Sequence, residues 1–377
     1  MLEEPSESRL GWPRTIATAF ALVLIAFAVW GFWTILFHPK GIDFVSFWAA
    51  GRMVVAGHPA DAYNIVAHRR LELTAAADTG LMPFPYPPPF LLVIAPFALF
   101  SFPIAYMLWD LISGGFYLLA GRRAAPSVYV LANPPVLVAC MMGQSSLLTS
   151  GMLILGLTSL ETAPFAAGAA LGLLIVKPHL ALMLPIAMLA GRKWRVIAGA
   201  ICSVTAALLV SLVVLGPNVF RGFLEILPTY LQFMQHGSWN WSELASPFAF
   251  MRYFGASASV SIIVQIAIAV AAGIITAIAW WWAWEEKVAI VAAASLLASA
   301  YLFTYDAIPL FLPAGVLIRQ KRFRSLGVLW VLCTLPVLTG YEIYSGPNTI
   351  SLACILSIVL MMPLNGPSRD ASSNLTL

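Results

Sequence analysis

Apolar runs of membrane length, broken by short polar or Gly/Pro-bearing stretches, recur along nearly the whole chain. The first runs roughly from Trp12 to Phe37. Backbone N–H and C=O groups in hydrocarbon must be satisfied within each segment, so such runs restrict the fold to an all-α, polytopic integral membrane protein. A β-barrel would show short alternating segments, and these runs do not alternate. Composition agrees: of 377 residues, 61% are hydrophobic and 10% charged, with a mean hydropathy of +0.89. No soluble domain of this length has that make-up.

Further runs fall at about 88–101, 103–120, 126–142, 145–160, 163–176, 178–190, 196–215, 259–284, 288–303, 306–318, 325–340 and 348–363. Several are too short to cross a bilayer unaided and imply tilt or a re-entrant path. With the first span, about 10–13 transmembrane or re-entrant helices are expected. The polar stretches between runs sit near the lower size limit of an independent domain. Residues 1–366 therefore read as one membrane domain and 367–377 as a disordered tail. The N-terminus MLEEPSESRLGWPR lacks a small-residue cleavage signature, so the first run reads as a retained span.

The formal net charge is +4, and its placement matters more than its size. Basic residues cluster at Arg122–Arg123, at Arg192, Lys193 and Arg195, and from Arg319 to Arg324. These read as cytoplasmic loops, not as a nucleic-acid surface. If 88–120 crosses twice, Arg122–Arg123 falls on the opposite side from the other two clusters; if 88–101 is re-entrant, all three fall together. The second arrangement fits the charge rule better. Cys140, Cys202, Cys333 and Cys354 all lie in apolar runs and form no CxxC pair, so they read as small buried hydrophobes. The five histidines show no metal-ligand spacing.

Two longer polar segments, 38–86 and 216–258, are assigned to the same face. The first opens with Asp43, just past Lys40, and holds two amphipathic stretches near Phe44–Ala56 and Tyr63–Ala77. It ends in PFPYPPPF, where regular helix is forbidden. Asp43, Phe47, Ala50 and Val54 share one helical face, and Arg52 and His58 follow. Asp43 admits two readings, an N-cap for that helix or a general base at a membrane surface. The second segment carries Glu225, His236, Trp239, Trp241 and Glu243.

Ionisable residues at membrane depth invite a functional reading. Lys177 and His179 flank Pro178 at a break between two apolar runs, where a cation can hold a phosphate or carboxylate; a snorkelling lysine is the alternative. Asp306, beside Tyr305, sits at another break and suits a cation, sugar hydroxyls or a helix cap. Gln144 marks a third break. Asp110 lies mid-run and reads as an interhelical polar contact. The chain has no GxxxxGK[ST] loop and no DxD-type cluster for a metal-held nucleotide sugar, so a lipid-borne donor fits better than a soluble nucleotide. Polar residues at broken helices also suit a secondary transporter, but no halves related by repeat are found.

The ordered motifs carry a resemblance. DFVSFWAAGRMVVAGHPADAYN resembles the signature DF-x-x-[YF]W-x-AGR-x-x-x-x-G-x-x-[AP]Y-[DN] of glycosyltransferase family 87, in the GT-C superfamily. YPPPFLLVIAPFALF, GQSSLL, LLIVKPHLALMLP and YLFTYDAIPLF are similar to the family's later motifs, in order, from about Gly41 to Leu312. The resemblance implies a GT-C helical bundle in a bacterial inner membrane. It implies inverting transfer of a hexose, mannose foremost, from a polyprenyl-phosphate donor to a glycolipid or glycan acceptor on the extracytoplasmic face. Asp43 matches the family's general base. Lys177, with His179 and Arg52, would hold the donor phosphate; the family more often has Gln where His179 stands. Tyr86, Gln144, Tyr305, Asp306 and His236 would shape the sugar or acceptor pocket. No metal or other cofactor is expected, and the partners are the two substrates and membrane lipids.

Overall fold

The computed structural model describes residues 8–37, 42–77, 79–235, 240–339 and 344–363. His236 and the tail 367–377, both expected features of the sequence, lie outside the described residues. The described chain is helical almost throughout, with a single isolated β-bridge between Leu244 and Phe303.

The elements run α1 (Ser8–Phe37), α2 (Phe44–Val55), α3 (Ile65–Ala75), α4 (Pro88–Ile94), α5 (Phe102–Gly121), α6 (Ser127–Leu131), α7 (Pro135–Met142), α8 (Ser146–Thr158) and α9 (Pro164–Gly172). Then follow α10 (Leu184–Ala190), α11 (Trp194–Leu215), α12 (Pro217–Gln235), α13 (Pro247–Tyr253), α14 (Ala258–Trp281), α15 (Lys287–Ala298), α16 (Phe311–Arg319), α17 (Phe323–Thr339) and α18 (Ile350–Met361). Short 3₁₀ turns connect several of them, including Pro59–Tyr63, Leu173–Val176, Pro178–Ala181 and Thr304–Leu310.

Four helices among the described residues are long and apolar enough to cross a membrane: Arg14–Gly31 within α1, then α5, α11 and α14. Seven shorter apolar segments accompany them. The outer faces of the long helices are strongly apolar. Val213 is 83% exposed, and Leu22, Trp33, Leu111 and Ile263 are more than half exposed. Lipid, not water, is the solvent these faces fit. Cys202 belongs to such a face and is exposed, unlike the buried cysteine the sequence suggested. Asp110 lies beside Tyr106, one turn earlier on α5, whose hydroxyl donates to the Cys140 carbonyl of α7 at 2.6 Å.

Helices approach closely where side chains are small. A Cβ on Gly168 or Gly172 of α9 would meet Val196 O or Ser203 Oγ of α11 within about 2 Å, and one on Gly199 would meet Phe165 O. This small-xxx-small seam locks α9 against α11. At the centre, α15 is buried from Ala289 to Leu297, its alanines admitting α14 and α18 on either side.

The segment 88–101 does not form a span. Its helix α4 is seven residues long and ends at a 3₁₀ turn, about 10 Å of helix against a core of about 30 Å. Instead α4 and the following turn pack on α2, which presses Gly51 against Ala98 and the Ile94 carbonyl. The three basic clusters accordingly meet at one end of the bundle. Arg319 reaches the Ala124 carbonyl and, at 3.7 Å, Glu286. Arg123 donates to Ser159 Oγ at 2.7 Å, and Lys193 pairs with Glu161 at 2.6 Å. Phe44, which follows Asp43, packs on Phe102, Tyr106 and Trp109 in the first half of α5. From Trp109 to Arg122 the helix climbs about 20 Å, so the two features lie toward opposite ends.

Candidate functional site

Asp43 does not cap α2. Its backbone is helical (φ −56°, ψ −30°) and its carboxylate takes no N–H of the first turn. It points elsewhere, and accepts a hydrogen bond from Gln144 Nε2 at 2.6 Å. An aromatic cluster holds this end of α2 in place. Phe47 meets the Tyr86, Phe90 and Trp109 rings edge-on at 5.0, 5.1 and 6.0 Å, and Tyr86 stacks on Phe90 at 4.4 Å. Each such pair adds about 0.5–1.5 kcal/mol beyond simple burial.

Gln144 is delivered by a helix end. Helix α7 closes with Gly143 at φ +61°, with Gly143 N donating to Cys140 O and Gln144 N to Ala139 O. That pair of bonds is a Schellman motif, and the left-handed residue in it favours glycine. Here glycine is required twice over, since a Cβ would sit 2.6 Å from Phe44 Cβ. The chain then runs straight into α8 through Ser145 and Ser146.

Three consecutive residues thus reach three different partners. Gln144 serves Asp43. Its own Oε1 accepts from the Tyr86 phenol at 3.1 Å and from Ser145 N at 3.2 Å, which leaves the amide NH₂ facing the carboxylate. Ser145 Oγ lies 3.0 Å from the Tyr86 hydroxyl. Ser146 Oγ donates to Asp306 Oδ1 at 2.7 Å and receives Lys177 Nζ at 3.0 Å.

Lys177 and Asp306 form a buried ion pair, 5% and 1% exposed. Asp306 also accepts from the N–H of Phe303 at 3.3 Å, so it steadies the start of the Thr304–Leu310 turn as well as holding a cation. His179 Nε2 approaches its other oxygen at 3.7 Å. The Lys177 ammonium lies 5.0 Å from the centre of the Tyr305 ring, a cation–π contact. Tyr305 in turn stacks on Phe303 at 5.1 Å.

Burial pushes the Asp43 carboxyl above the usual carboxylate range, and the nearby Asp306 charge adds to this. The Gln144 hydrogen bond and the Lys177 charge pull the other way. Burial also raises the Tyr86 phenol, which stays protonated and remains a donor to Gln144.

The structure brings Asp43, Tyr86, Gln144, Lys177, His179, Tyr305 and Asp306 into one contiguous cluster. Arg52 does not join it. Its guanidinium donates to the Ala98 carbonyl at 3.3 Å and lies over the Trp48 ring, so the helix that carries both acid and arginine turns them to different surroundings.

Three further residues near the site were not assigned to it from the sequence. Ser145 and Ser146 looked like helix-start residues inside GQSSLL, and nothing local marks their second partners. Glu243 is an exposed acid whose segment is pinned to the site by the Leu244–Phe303 bridge and by Ala245 N donating to Leu302 O at 2.6 Å. Partial burial raises its carboxyl, and the charge of Asp43 adds to the effect. A carboxylate, a buried cation and a ring of hydroxyls and amides can together take a proton from one hydroxyl, hold an anion and orient a polyol.

A family model described as glycosyltransferase family 87 matches residues 84–304, more than half of the chain. The match takes in Tyr86, Gln144, Lys177 and His179; Tyr305 and Asp306 follow directly after it, and Asp43 lies outside it, toward the N-terminus. Searches of curated proteins and of solved structures return no match. On the extent of the family match, the chain belongs to glycosyltransferase family 87 and is a membrane glycosyltransferase.

Proposed function

We propose that this glycosyltransferase moves a hexose, mannose foremost, from a polyprenyl-phosphate donor to a hydroxyl of a glycolipid or glycan, with inversion at the anomeric carbon. In this reading Asp43 is the general base. It takes the proton of the acceptor hydroxyl as that oxygen bonds to the anomeric carbon. The bond from the anomeric carbon to the phosphate oxygen breaks on the opposite face, and its electron pair leaves with polyprenyl phosphate. Lys177, with His179 beside it, meets the charge that develops on the departing phosphate. Tyr86, Gln144, Tyr305 and Asp306 line the sugar and acceptor space.

One observation carries this reading. Gln144, Ser145 and Ser146 join an Asp carboxylate and a buried ammonium through a single turn of chain, the pairing of base and anion holder that a phosphate-leaving displacement needs. The basic clusters gather at the bundle end away from Asp43. On the positive-inside rule that end is cytoplasmic, and the reaction faces the periplasm or cell exterior of a bacterial inner membrane. Residues 1–366 act as one membrane domain, with 38–86 and 216–258 as its extracytoplasmic loops.

The test is transfer of radiolabelled hexose from polyprenyl-phosphate sugars by the purified, full-length protein. Asp43→Asn keeps the Gln144 contact but removes the base, and transfer falls by at least about 100-fold with folding intact. Wild-type rates in that variant overturn the assignment of Asp43.

A further inference from the structure

Residues 82–86 approach the site as an extended, proline-rich segment with no partner strand. Side chains of the neighbouring helices take up its backbone polar groups one by one. The Glu72 carboxylate accepts from Met82 N at 3.2 and 3.4 Å. Ser46 Oγ donates to the Pro83 carbonyl at 3.2 Å, Tyr230 bonds to the backbone of Phe84, and the Tyr63 phenol donates to the Tyr86 carbonyl at 2.8 Å.

Behind this hanger lies a buried polar cluster that the proposed reaction does not use. Glu72 is 0% exposed and His68 is 2% exposed. Arg69 pairs with Glu72 at 3.3 Å and also donates to the carbonyls of Thr79 and Gly80. His68 Nε2 lies 3.4 Å from Glu72 and 3.2 Å from Ser46 Oγ.

Ser46 has one hydroxyl proton, and it is given to Pro83. The proton between Ser46 and His68 therefore sits on Nε2. This is not a nucleophilic triad. The acid and the serine meet the same ring nitrogen, and Ser46 is buried with its proton engaged.

The cluster touches both halves of the site. Ser46 lies in the first turn of α2, its N–H bonded to the Asp43 carbonyl at 3.1 Å, and Met82 and Pro83 lead directly to Tyr86. A buried ion pair gives little net stability over apolar packing, so its presence here calls for a geometric role. We infer that His68, Arg69 and Glu72 are positioning residues. They fix the spacing between the helix that carries Asp43 and the segment that carries Tyr86, and thereby the Tyr86–Gln144–Asp43 relay. The inference rests on the proposed role of Asp43, but its test does not require turnover.

The ionisation of Asp43 is followed in purified full-length protein by the pH dependence of carbodiimide labelling at residue 43, with Asp43→Asn as the blank. Glu72→Gln and Tyr86→Phe each loosen the amide that faces Asp43, so each raises its midpoint by about one pH unit, a tenfold change in the equilibrium. Because both act through one relay, the double variant shifts no further than either single one. An unmoved midpoint in folded Glu72→Gln, or shifts that add, overturns the inference. Where Glu72→Gln fails to fold, Ser46→Ala, which loses only the bonds to Pro83 and His68, must give the same non-additive shift. Hexose transfer is measured in parallel. Full transfer by Asp43→Asn removes the base reading while leaving the coupling between Glu72 and Tyr86 to be judged on the labelling data.

Discussion

Removing the Asp306 carboxylate tests what Lys177 is for. In Asp306→Asn the ammonium stays 94–95% buried but loses its ion-pair charge, keeping Ser146 Oγ at 3.0 Å, the Tyr305 ring at 5.0 Å and the neutral amide of the new side chain. A buried charge stripped of its counter-ion costs about 3–5 kcal/mol, whereas replacing both members by apolar residues is often neutral. Asp306→Asn should therefore lower the thermal midpoint in detergent by several degrees, and Lys177→Met/Asp306→Leu should recover most of that loss. If Lys177 holds the donor phosphate, an added anion should supply the lost counter-charge. Polyprenyl phosphate at about 100 times its Kd contributes about 2.7 kcal/mol to any state that binds it. Its stabilisation of Asp306→Asn should exceed that of wild type, where the carboxylate already competes for the ammonium, and should vanish in Lys177→Met. The assay is a thermal-shift titration of the three proteins with polyprenyl phosphate, with the uncharged polyprenol as control. Equal shifts in all three, or equal shifts with polyprenol, refute a phosphate role for Lys177.

Gln144→Leu removes a charge-assisted hydrogen bond worth about 1.5–3 kcal/mol, and that bond is one of the influences lowering the Asp43 carboxyl. Its loss raises the carboxyl further; since a base works only when ionised, the acid limb of kcat/KM must move up in pH, and an unmoved limb contradicts the base reading. Gly143→Ala combines a left-handed backbone, costing about 1–2 kcal/mol, with overpacking against Phe44 of about 1–3 kcal/mol; a chemical or thermal unfolding series should show a loss of about 2–5 kcal/mol together with a fall in transfer. Lys177→Ala should raise the KM for the donor by at least about tenfold while leaving that for the acceptor within about twofold; equal effects on both count against donor binding. Single cysteines placed at Asp43 and at Arg122 of a cysteine-free variant should react with a membrane-impermeant maleimide from opposite sides of sealed vesicles, and labelling from the same side contradicts the topology.

The spans were legible because lipid exposure leaves a mark that tertiary packing does not erase. The apolar faces of α11 and α14 would be as apolar in any bundle. The breaks were legible too, since Gly143, Pro178 and the residues around Asp306 interrupt helix on local grounds alone. Segment 88–101 was legible only through charge. Its length fits a tilted span and a re-entrant turn equally, the basic clusters favour the second, and the contact of α4 with α2 across Gly51 agrees with it. Asp43 shows the same limit at the scale of one residue. An Asp before an apolar helix reads as a cap whether or not it caps, and what turned its carboxylate away is Gln144, 101 positions along the chain. Lys177 finds Asp306 at a separation of 129 and Ser146 at 31. No local pattern encodes such pairings, yet a physical constraint narrows them. Polar groups at helix breaks cannot be left bare in a low-dielectric interior, so those lacking a local partner must meet one another. Four breaks with unmatched polar residues, at 43, 144, 177 and 306, could therefore have implied one shared cluster before any coordinates. Which atom meets which depends on the seam of Gly168, Gly172 and Gly199 that seats α9 on α11 and on the left-handed turn at Gly143, and those are settled by packing, one close contact at a time.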